Sequence, residues 1–254
     1  MPAPESRLPS PKDLPLTRLL PNTLTLFSLC SGLTGIRFAL MGNWHNAALA
    51  IVIAGVFDML DGRVARMLNI ASKFGAELDS LSDTVSFGVA PGIIIYEWAL
   101  RDVGGFGWIA VLVYAVCTAL RLARFNTMLE DHSLPQWTKS YFTGVSAPGG
   151  AGLALLPLFA MLAFGNGVQL PGIVLAFWLI ITGGLMVSRL PTFALKGWRV
   201  ARVWVAPIFV LTGLLIAALI TTPWVILSGI STVYALSIPV AWYTYRRRQK
   251  NEGK

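Results

Sequence analysis

The sequence predicts an all-α protein, a polytopic transmembrane helical bundle of about eight spans with both termini in the cytoplasm. Of its 254 residues, 55% are hydrophobic and only 13% are charged, whereas a soluble domain carries about 25% charged residues. So few charged side chains cannot cover the surface of a soluble protein of 27.5 kDa. The composition therefore indicates an integral membrane protein and excludes a disordered chain, a disulfide scaffold and a soluble doubly wound enzyme.

Eight apolar stretches approach the length of about 20 residues that a helix needs to cross a bilayer. They cover residues 22–41, 44–60, 80–100, 107–127, 147–164, 171–187, 203–221 and 224–243. Several are separated only by short joints of glycine, asparagine or proline, which are typical of turns. An even number of spans predicts that both chain ends lie on the same side of the membrane.

The spans divide the chain into three parts. Residues 1–17 contain five prolines, so we expect a loose cytoplasmic tail without regular helix. Residues 18–245 form the predicted membrane domain, and residues 246–254 form a basic cytoplasmic tail.

The positive residues predict the orientation of the bundle. When the loops alternate sides, 18 of the 20 Lys and Arg residues fall on one face, with Arg101 in an opposite loop and Arg37 in the first span. Lys and Arg collect in cytoplasmic loops, so this face is predicted to be the cytoplasmic side of the inner membrane. The net charge of +8 then reflects topology and attraction to anionic lipids, not nucleic-acid binding. Arg37 and Glu97 lie at similar depth, and we expect an ion pair between them or separate extension to the outer surface.

The acidic residues are concentrated in one short segment. Asp58 and Asp61 end the second span, and Asp79 and Asp83 begin the third. Residues three or four positions apart share a helix face, and consecutive spans run antiparallel. The four carboxylates are therefore predicted to converge at the cytoplasmic boundary of the membrane.

This acidic cluster predicts a divalent-metal site. Carboxylates packed together near hydrocarbon need protons or cations to neutralise them. Oxygen ligands without His or Cys favour Mg²⁺ or Mn²⁺ over zinc, and Mg²⁺ commonly shares its ligands with substrate phosphates. The alternative is a set of solvated acids paired with Arg63, Arg66 and Lys73. We disfavour it because surface acids would not keep helical spacing on both sides of the connection.

Residues 58–83 fit the pattern D-x-x-D-G-x-x-A-R-x8-G-x3-D-x3-D at every fixed position. This pattern resembles the signature of the CDP-alcohol phosphotransferase family, in which an alcohol attacks a phosphorus of a CDP-linked lipid and CMP is released. The resemblance implies that Asp58, Asp61 and Asp79 hold one or two metal ions. It also implies that Asp83 is a further ligand and the general base that takes the alcohol proton.

The same resemblance implies a set of residues near the nucleotide of the CDP-lipid. Small residues of the motif would let the nucleotide approach the helices closely, and an arginine would meet phosphate with its planar fork. The motif supplies Gly62, Ala65, Arg66 and Gly75 to the predicted set, and a likeness of residues 21–25 to the start of one branch of the family adds Asn22 and Thr25.

The chain resembles the branch of this family that makes phosphatidylserine from CDP-diacylglycerol and L-serine at residues 21–25, 77–81, 86–91, 121–126 and 142–144. Arg121 and Arg124, with Asn126 beside them, could then bind the carboxylate of serine, although positive-inside anchoring also explains two arginines. Glycerol 3-phosphate, choline and an inositol phosphate stay open as acceptors. An ion carrier with an intramembrane acidic site is the alternative from another class. The resemblance further implies a homodimer.

Overall fold

The structure is a computed structural model that describes residues 19–68, 72–129, 141–165, 167, 170–188, 190–193 and 204–252. Within these residues the chain forms eight helices, each at a position where the sequence predicts an apolar span. They are α1 (Leu20–Leu40), α2 (Trp44–Met67), α3 (Lys73–Val103), α4 (Gly105–Leu129), α5 (Ala147–Phe164), α6 (Gly172–Val187), α7 (Val205–Thr221) and α8 (Pro223–Glu252). The predicted N-terminal tail and many of the predicted cytoplasmic cations lie outside the described residues.

Most of the described helices have the length or composition of membrane spans. Five are long and apolar enough to cross a membrane: Leu20–Leu40, Lys73–Val103, Gly105–Thr127, Ala147–Phe164 and Pro223–Thr244. Gly172–Val187 and Ala206–Thr221 are apolar but shorter. These helices support a multi-pass all-helical bundle, while the number of eight crossings and the cytoplasmic position of the termini stay predictions.

Local sequence explains where the helices near the acidic segment begin and end. Gly42, with φ 70°, adopts a left-handed conformation that glycine tolerates, and it follows the end of α1. The Asn43 side chain then accepts a hydrogen bond from the Asn46 N–H and begins α2. Ser72 begins α3 in the same way, because its Oγ accepts from the Gly75 N–H at 3.0 Å.

Small residues let α1 pack closely against its neighbours. A Cβ at Gly35 would lie 3.2 Å from the Ala47 carbonyl oxygen of α2, and one at Gly32 would lie 2.7 Å from the Ser86 Oγ of α3. Close backbone approach through small residues is a common way for membrane helices to associate. It brings the start of α1 beside the acidic ends of α2 and α3.

Two short strands add to the helices. β1 (Tyr141–Thr143) and β2 (Pro191–Phe193) pair antiparallel, with Phe142 opposite Thr192. The sequence predicts loops between the spans at these positions and no strands. The pairing joins the chain before α5 to the chain after α6.

The ion pair predicted between Arg37 and Glu97 is wrong. Glu97 Oε2 lies 2.6 Å from Arg101 Nη2, one helical turn further along α3. A partner at this spacing is available within the same helix, so Glu97 does not need a cation from α1.

Candidate active site

The ends of α2 and α3 bring the four aspartates together. One carboxylate oxygen from each of Asp58, Asp61 and Asp79 lies within 4.8 Å of the others. The carboxyl group of Asp83 is in hydrogen-bonding contact with that of Asp58, and Asp83 is only 8% exposed. The helical spacing of these acids thus produces the convergence that the sequence predicts.

Helix α1 supplies a hydroxyl to this cluster. Thr25 Oγ1 donates to Asp61 Oδ2 at 2.8 Å, and both residues are buried, at 4% and 5% exposure. The Ser82 hydroxyl donates to the Thr25 carbonyl at 3.1 Å, which fixes α1 against α3. Thr25 therefore orients one carboxylate of the cluster.

Among the residues that the structure describes, no Lys or Arg forms an ion pair with the acidic cluster within 4.0 Å. Asp79 Oδ1 is buried and has no hydrogen-bond partner among the described residues. Asp61 lies just beyond the predicted span 44–60, and its pKa is raised to about 6. Burial is the main cause; the hydrogen bond from Thr25 opposes the rise and the neighbouring Asp58 carboxylate adds to it. The oxygen donors and their spacing fit a divalent cation.

A small cavity of about 160 Å³ opens beside the cluster between α1, α2 and α3. Its lining combines two of the acids with small and polar residues from the three helix ends. The lining residues are Pro21, Asn22, Thr25, Asp61, Gly62, Ala65, Ser72, Gly75, Ala76 and Asp79. Five of the six residues predicted near the nucleotide are among them.

The two motif glycines keep this cavity open. A Cβ at Gly75 would lie 3.1 Å from both Asn22 Oδ1 and Ser72 Oγ, whereas the nearest group to a Cβ at Gly62 is Arg66 Nη2 at 4.0 Å. Gly62 therefore leaves empty space, and Gly75 allows two polar side chains to face the cavity. Arg66 itself does not line it; its Nε donates to the Gly62 carbonyl at 2.8 Å, which places the guanidinium at the rim.

Comparison with known proteins shows which family the chain belongs to. Residues 18–182 match the family model described as CDP-alcohol phosphatidyltransferase, and residues 203–239 match the one described as CDP-alcohol phosphatidyltransferase 2. The chain belongs to the CDP-alcohol phosphatidyltransferase family. The family resemblance predicted from residues 58–83 is thereby confirmed.

Several similar members of the family carry the name CDP-diacylglycerol–serine O-phosphatidyltransferase. The protein of that name from Mycobacterium leprae is 45% identical over 175 residues, which are 68% of this chain and 58% of the relative. The one from Mycobacterium tuberculosis is 43% identical over 175 residues, 68% of this chain and 60% of the relative. The one from Helicobacter pylori is 34% identical over 188 residues, 72% of this chain and 76% of the relative. The chain thus spans less than two thirds of the mycobacterial relatives.

The three residues predicted to bind the acceptor differ in their surroundings. Arg121 interacts electrostatically with Asp83 and Asp58, and it forms no ion pair within 4.0 Å among the residues that the structure describes. Arg124 instead donates through Nη1 to the Val187 carbonyl at 2.8 Å. Asn126 Nδ2 donates to Ser80 Oγ at 2.9 Å. Arg121 thus lies near enough to the acidic cluster to interact with it electrostatically, while Arg124 and Asn126 contact neighbouring elements.

Sequence reasoning missed two polar residues at this site. Ser72 lines the cavity, and its position as the first cap of α3 was a usable signal, because serine commonly precedes a helix. Tyr234 of α8 interacts with Arg121, and a Cβ at Gly149 would lie 3.0 Å from its hydroxyl. No local sequence pattern connects Tyr234 to Arg121 of α4, because these two residues are far apart in the chain.

Proposed function

We propose that the chain transfers the phosphatidyl group of CDP-diacylglycerol to the hydroxyl of L-serine, releasing CMP in phospholipid biosynthesis. The observation that carries this proposal is the contact between the oxygen-only acidic cluster and the cavity, whose lining contains five residues expected near the nucleotide. The names of the curated relatives support serine as the acceptor.

The metal ion, Mg²⁺ or Mn²⁺, would be held by Asp58, Asp61 and Asp79. Asp83 would lie beside it, either as a further ligand or as the general base that accepts the proton of the serine hydroxyl. When bound, such a cation supplies positive charge that offsets the charge of the pyrophosphate and of the leaving CMP. The unpartnered Asp79 oxygen and the Thr25 hydroxyl on Asp61 support this assignment. Thr25 keeps one carboxylate oxygen of Asp61 in a fixed direction, which is what a hard cation with strict geometry requires.

Asp83 would accept the proton of the serine hydroxyl. The serine oxygen then bonds to the phosphorus that carries diacylglycerol, the bond from that phosphorus to the bridging oxygen breaks, and CMP leaves with the bridging oxygen. Asp83 is nearly buried, at 8% exposure, so few water molecules compete with serine for this position.

Arg121 is the residue that we assign to the serine carboxylate. It lies near Asp83, so an amino acid whose carboxylate it holds would place its hydroxyl toward the base. Arg124 and Asn126 complete the proposed acceptor subsite from the inner end of α4. Their hydrogen bonds to Val187 and Ser80 fix this end against α6 and α3, and thereby limit where Arg121 can reach.

We place the reaction at the cytoplasmic face of the inner membrane. Serine and CMP are water-soluble, and the four acids lie at the helix ends where the longer, cation-rich connections are predicted. A homodimer, which the resemblance implies, can be checked by the mass of the purified protein in detergent. An ion carrier would be expected to hold acids near the bilayer midplane, and the family match does not favour it.

An acceptor panel tests the proposal. The purified protein is incubated in detergent micelles with CDP-diacylglycerol, Mn²⁺ and one acceptor at a time: serine, glycerol 3-phosphate, choline or an inositol phosphate. We expect CMP and phosphatidylserine in equal amounts when serine is the acceptor, and no CMP with any of the other three acceptors. Release driven by another acceptor would overturn the serine assignment, and no release with any acceptor would overturn the proposed reaction. The Asp61→Asn variant provides the inactive control.

A further inference from the structure

Helix α3 changes its geometry directly after Asp83. It is α-helical over Lys73–Asp83, π-helical over Thr84–Val89 and α-helical again over Ala90–Ile95. The Ala90 N–H donates to the Val85 carbonyl, five residues earlier. π-helical turns are rare and often occur at functional sites. Here the turn separates the acidic end of α3 from the part of the helix that packs in the bundle.

Pro91 leaves a carbonyl without its helical donor in this turn. Proline has no N–H, so the carbonyl of Phe87, four residues earlier, cannot form the α-helical bond. Phe87 is 1% exposed, and water cannot replace the missing donor easily. A buried carbonyl without its usual partner is unfavourable, so a donor from a neighbouring element would stabilise the turn.

Tyr114 of α4 supplies this donor. Its hydroxyl donates to the Phe87 carbonyl at 2.7 Å, and Tyr114 is completely buried. Close packing brings the two helices to this distance, because a Cβ at Gly92 would lie 3.1 Å from Val111 Cγ1 and one at Gly88 would lie 3.0 Å from Thr118. The π turn is thus held from the α4 side by one tyrosine hydroxyl.

The opposite face of the turn is tied to α1. Ser86 Oγ donates to the Ser28 carbonyl at 3.2 Å, and Ser82, just before the turn, donates to the Thr25 carbonyl. The register of the turn therefore links α4 to the same part of α1 that orients Asp61. A shift of one residue in a helix rotates its side chains by about 100°, which would turn Asp83 away from Asp58.

We propose that Tyr114 is a positioning residue, whose hydroxyl holds the π turn and thereby keeps the Asp83 carboxyl directed into the acidic cluster. The effect on catalysis rests on the proposed function. The effect on the turn does not, because it concerns only the hydrogen bond from Tyr114 to Phe87.

The test compares Tyr114→Phe with Thr182→Val. The first removes only the hydroxyl that reaches Phe87. The second removes a buried hydroxyl of α6, which donates to the Trp178 carbonyl in its own helix. We measure amide hydrogen exchange of residues 84–92 in the purified full-length protein without substrate, and serine-dependent CMP release with KM and kcat. For Tyr114→Phe we expect exchange at least tenfold faster and kcat at least tenfold lower, with the KM of CDP-diacylglycerol within twofold. Thr182→Val should change each quantity by less than twofold.

A second substitution tests the reason for the effect. Pro91→Ala returns an N–H that can serve the Phe87 carbonyl, so adding Tyr114→Phe in that background should lower kcat by less than threefold. An equal loss in both backgrounds, or unchanged exchange in Tyr114→Phe, would overturn the proposal. If Tyr114→Phe does not fold, the double variant must fold and release CMP, and its failure would also overturn the proposal. If the wild-type protein releases no CMP, the proposed function is rejected. Faster exchange in Tyr114→Phe would then still support the role of Tyr114 in the turn.

Discussion

Replacing Thr25 by valine should weaken the use of metal without removing any ligand. Valine keeps the branched shape but loses the hydroxyl that donates to Asp61 Oδ2 at 2.8 Å. Thr25 and Asp61 are only 4% and 5% exposed, and valine places a methyl group where the hydroxyl was, so little room is left for a water molecule to restore the bond. A hydrogen-bond partner that orients a metal ligand typically changes metal affinity roughly 10- to 100-fold, or about 1.4–2.8 kcal/mol at about 1.4 kcal/mol for each factor of ten. The concentration of Mn²⁺ for half-maximal activity should therefore rise roughly 10- to 100-fold.

The assay is serine-dependent CMP release by the purified protein over a series of Mn²⁺ concentrations. Thr25→Ser keeps the hydroxyl and should stay within about threefold of the wild type, since only the branched methyl is lost. Thr23→Val is the matched control, because Thr23 is exposed and its hydroxyl donates to the Leu19 carbonyl. An unchanged Mn²⁺ requirement in Thr25→Val, or an equal rise in Thr25→Ser, would refute the role of the hydroxyl on Asp61.

Three further substitutions test other parts of the site. Asp83→Asn should lower kcat at least 100-fold, within the range for loss of a general base, while CDP-diacylglycerol still binds in an equilibrium assay. The control is Asp102→Asn, because Asp102 is exposed and lies at the other end of α3. Normal turnover in Asp83→Asn would show that Asp83 is not the base. Gly75→Ala should raise the KM of CDP-diacylglycerol, because the new Cβ would lie 3.1 Å from two side-chain oxygens of the cavity. The control Gly229→Ala should leave this KM unchanged, because a Cβ there meets no atom within 4 Å. Equal KM values in the two variants would contradict the cavity assignment. Arg121→Gln should raise the KM of serine about tenfold or more through loss of a charged contact, with the KM of CDP-diacylglycerol within twofold. A raised KM of CDP-diacylglycerol with an unchanged KM of serine would place Arg121 at the CDP-diacylglycerol site instead.

The helices and the acidic cluster could be predicted because local rules decide them. Hydropathy over about 20 residues locates a span, and spacing of three or four residues places carboxylates on one face. Asp58, Asp61 and Asp79 therefore meet where the spacing predicts. The residues around the cavity followed from a motif confined to the same two helices and the start of α1.

Contacts between elements distant in the chain could not be predicted in this way. The hydrogen bond from Tyr114 to Phe87, the bond from Arg124 to Val187 and the pairing of β1 with β2 all depend on how the helices pack. Hydropathy does not encode that packing. Pro91 was a local signal that some donor would be needed, but the sequence does not show which residue supplies it.

The most direct test of the proposed reaction follows the hydroxyl oxygen of serine. The purified protein is given CDP-diacylglycerol, Mn²⁺ and L-serine labelled with ¹⁸O in its hydroxyl group, and the products are analysed by mass spectrometry. Attack of this oxygen on the lipid phosphorus predicts phosphatidylserine that retains ¹⁸O, an equal amount of unlabelled CMP, and no product when EDTA removes the metal. Phosphatidylserine without the label, or CMP release that continues without serine or without metal, would contradict transfer at the acidic cluster of α2 and α3.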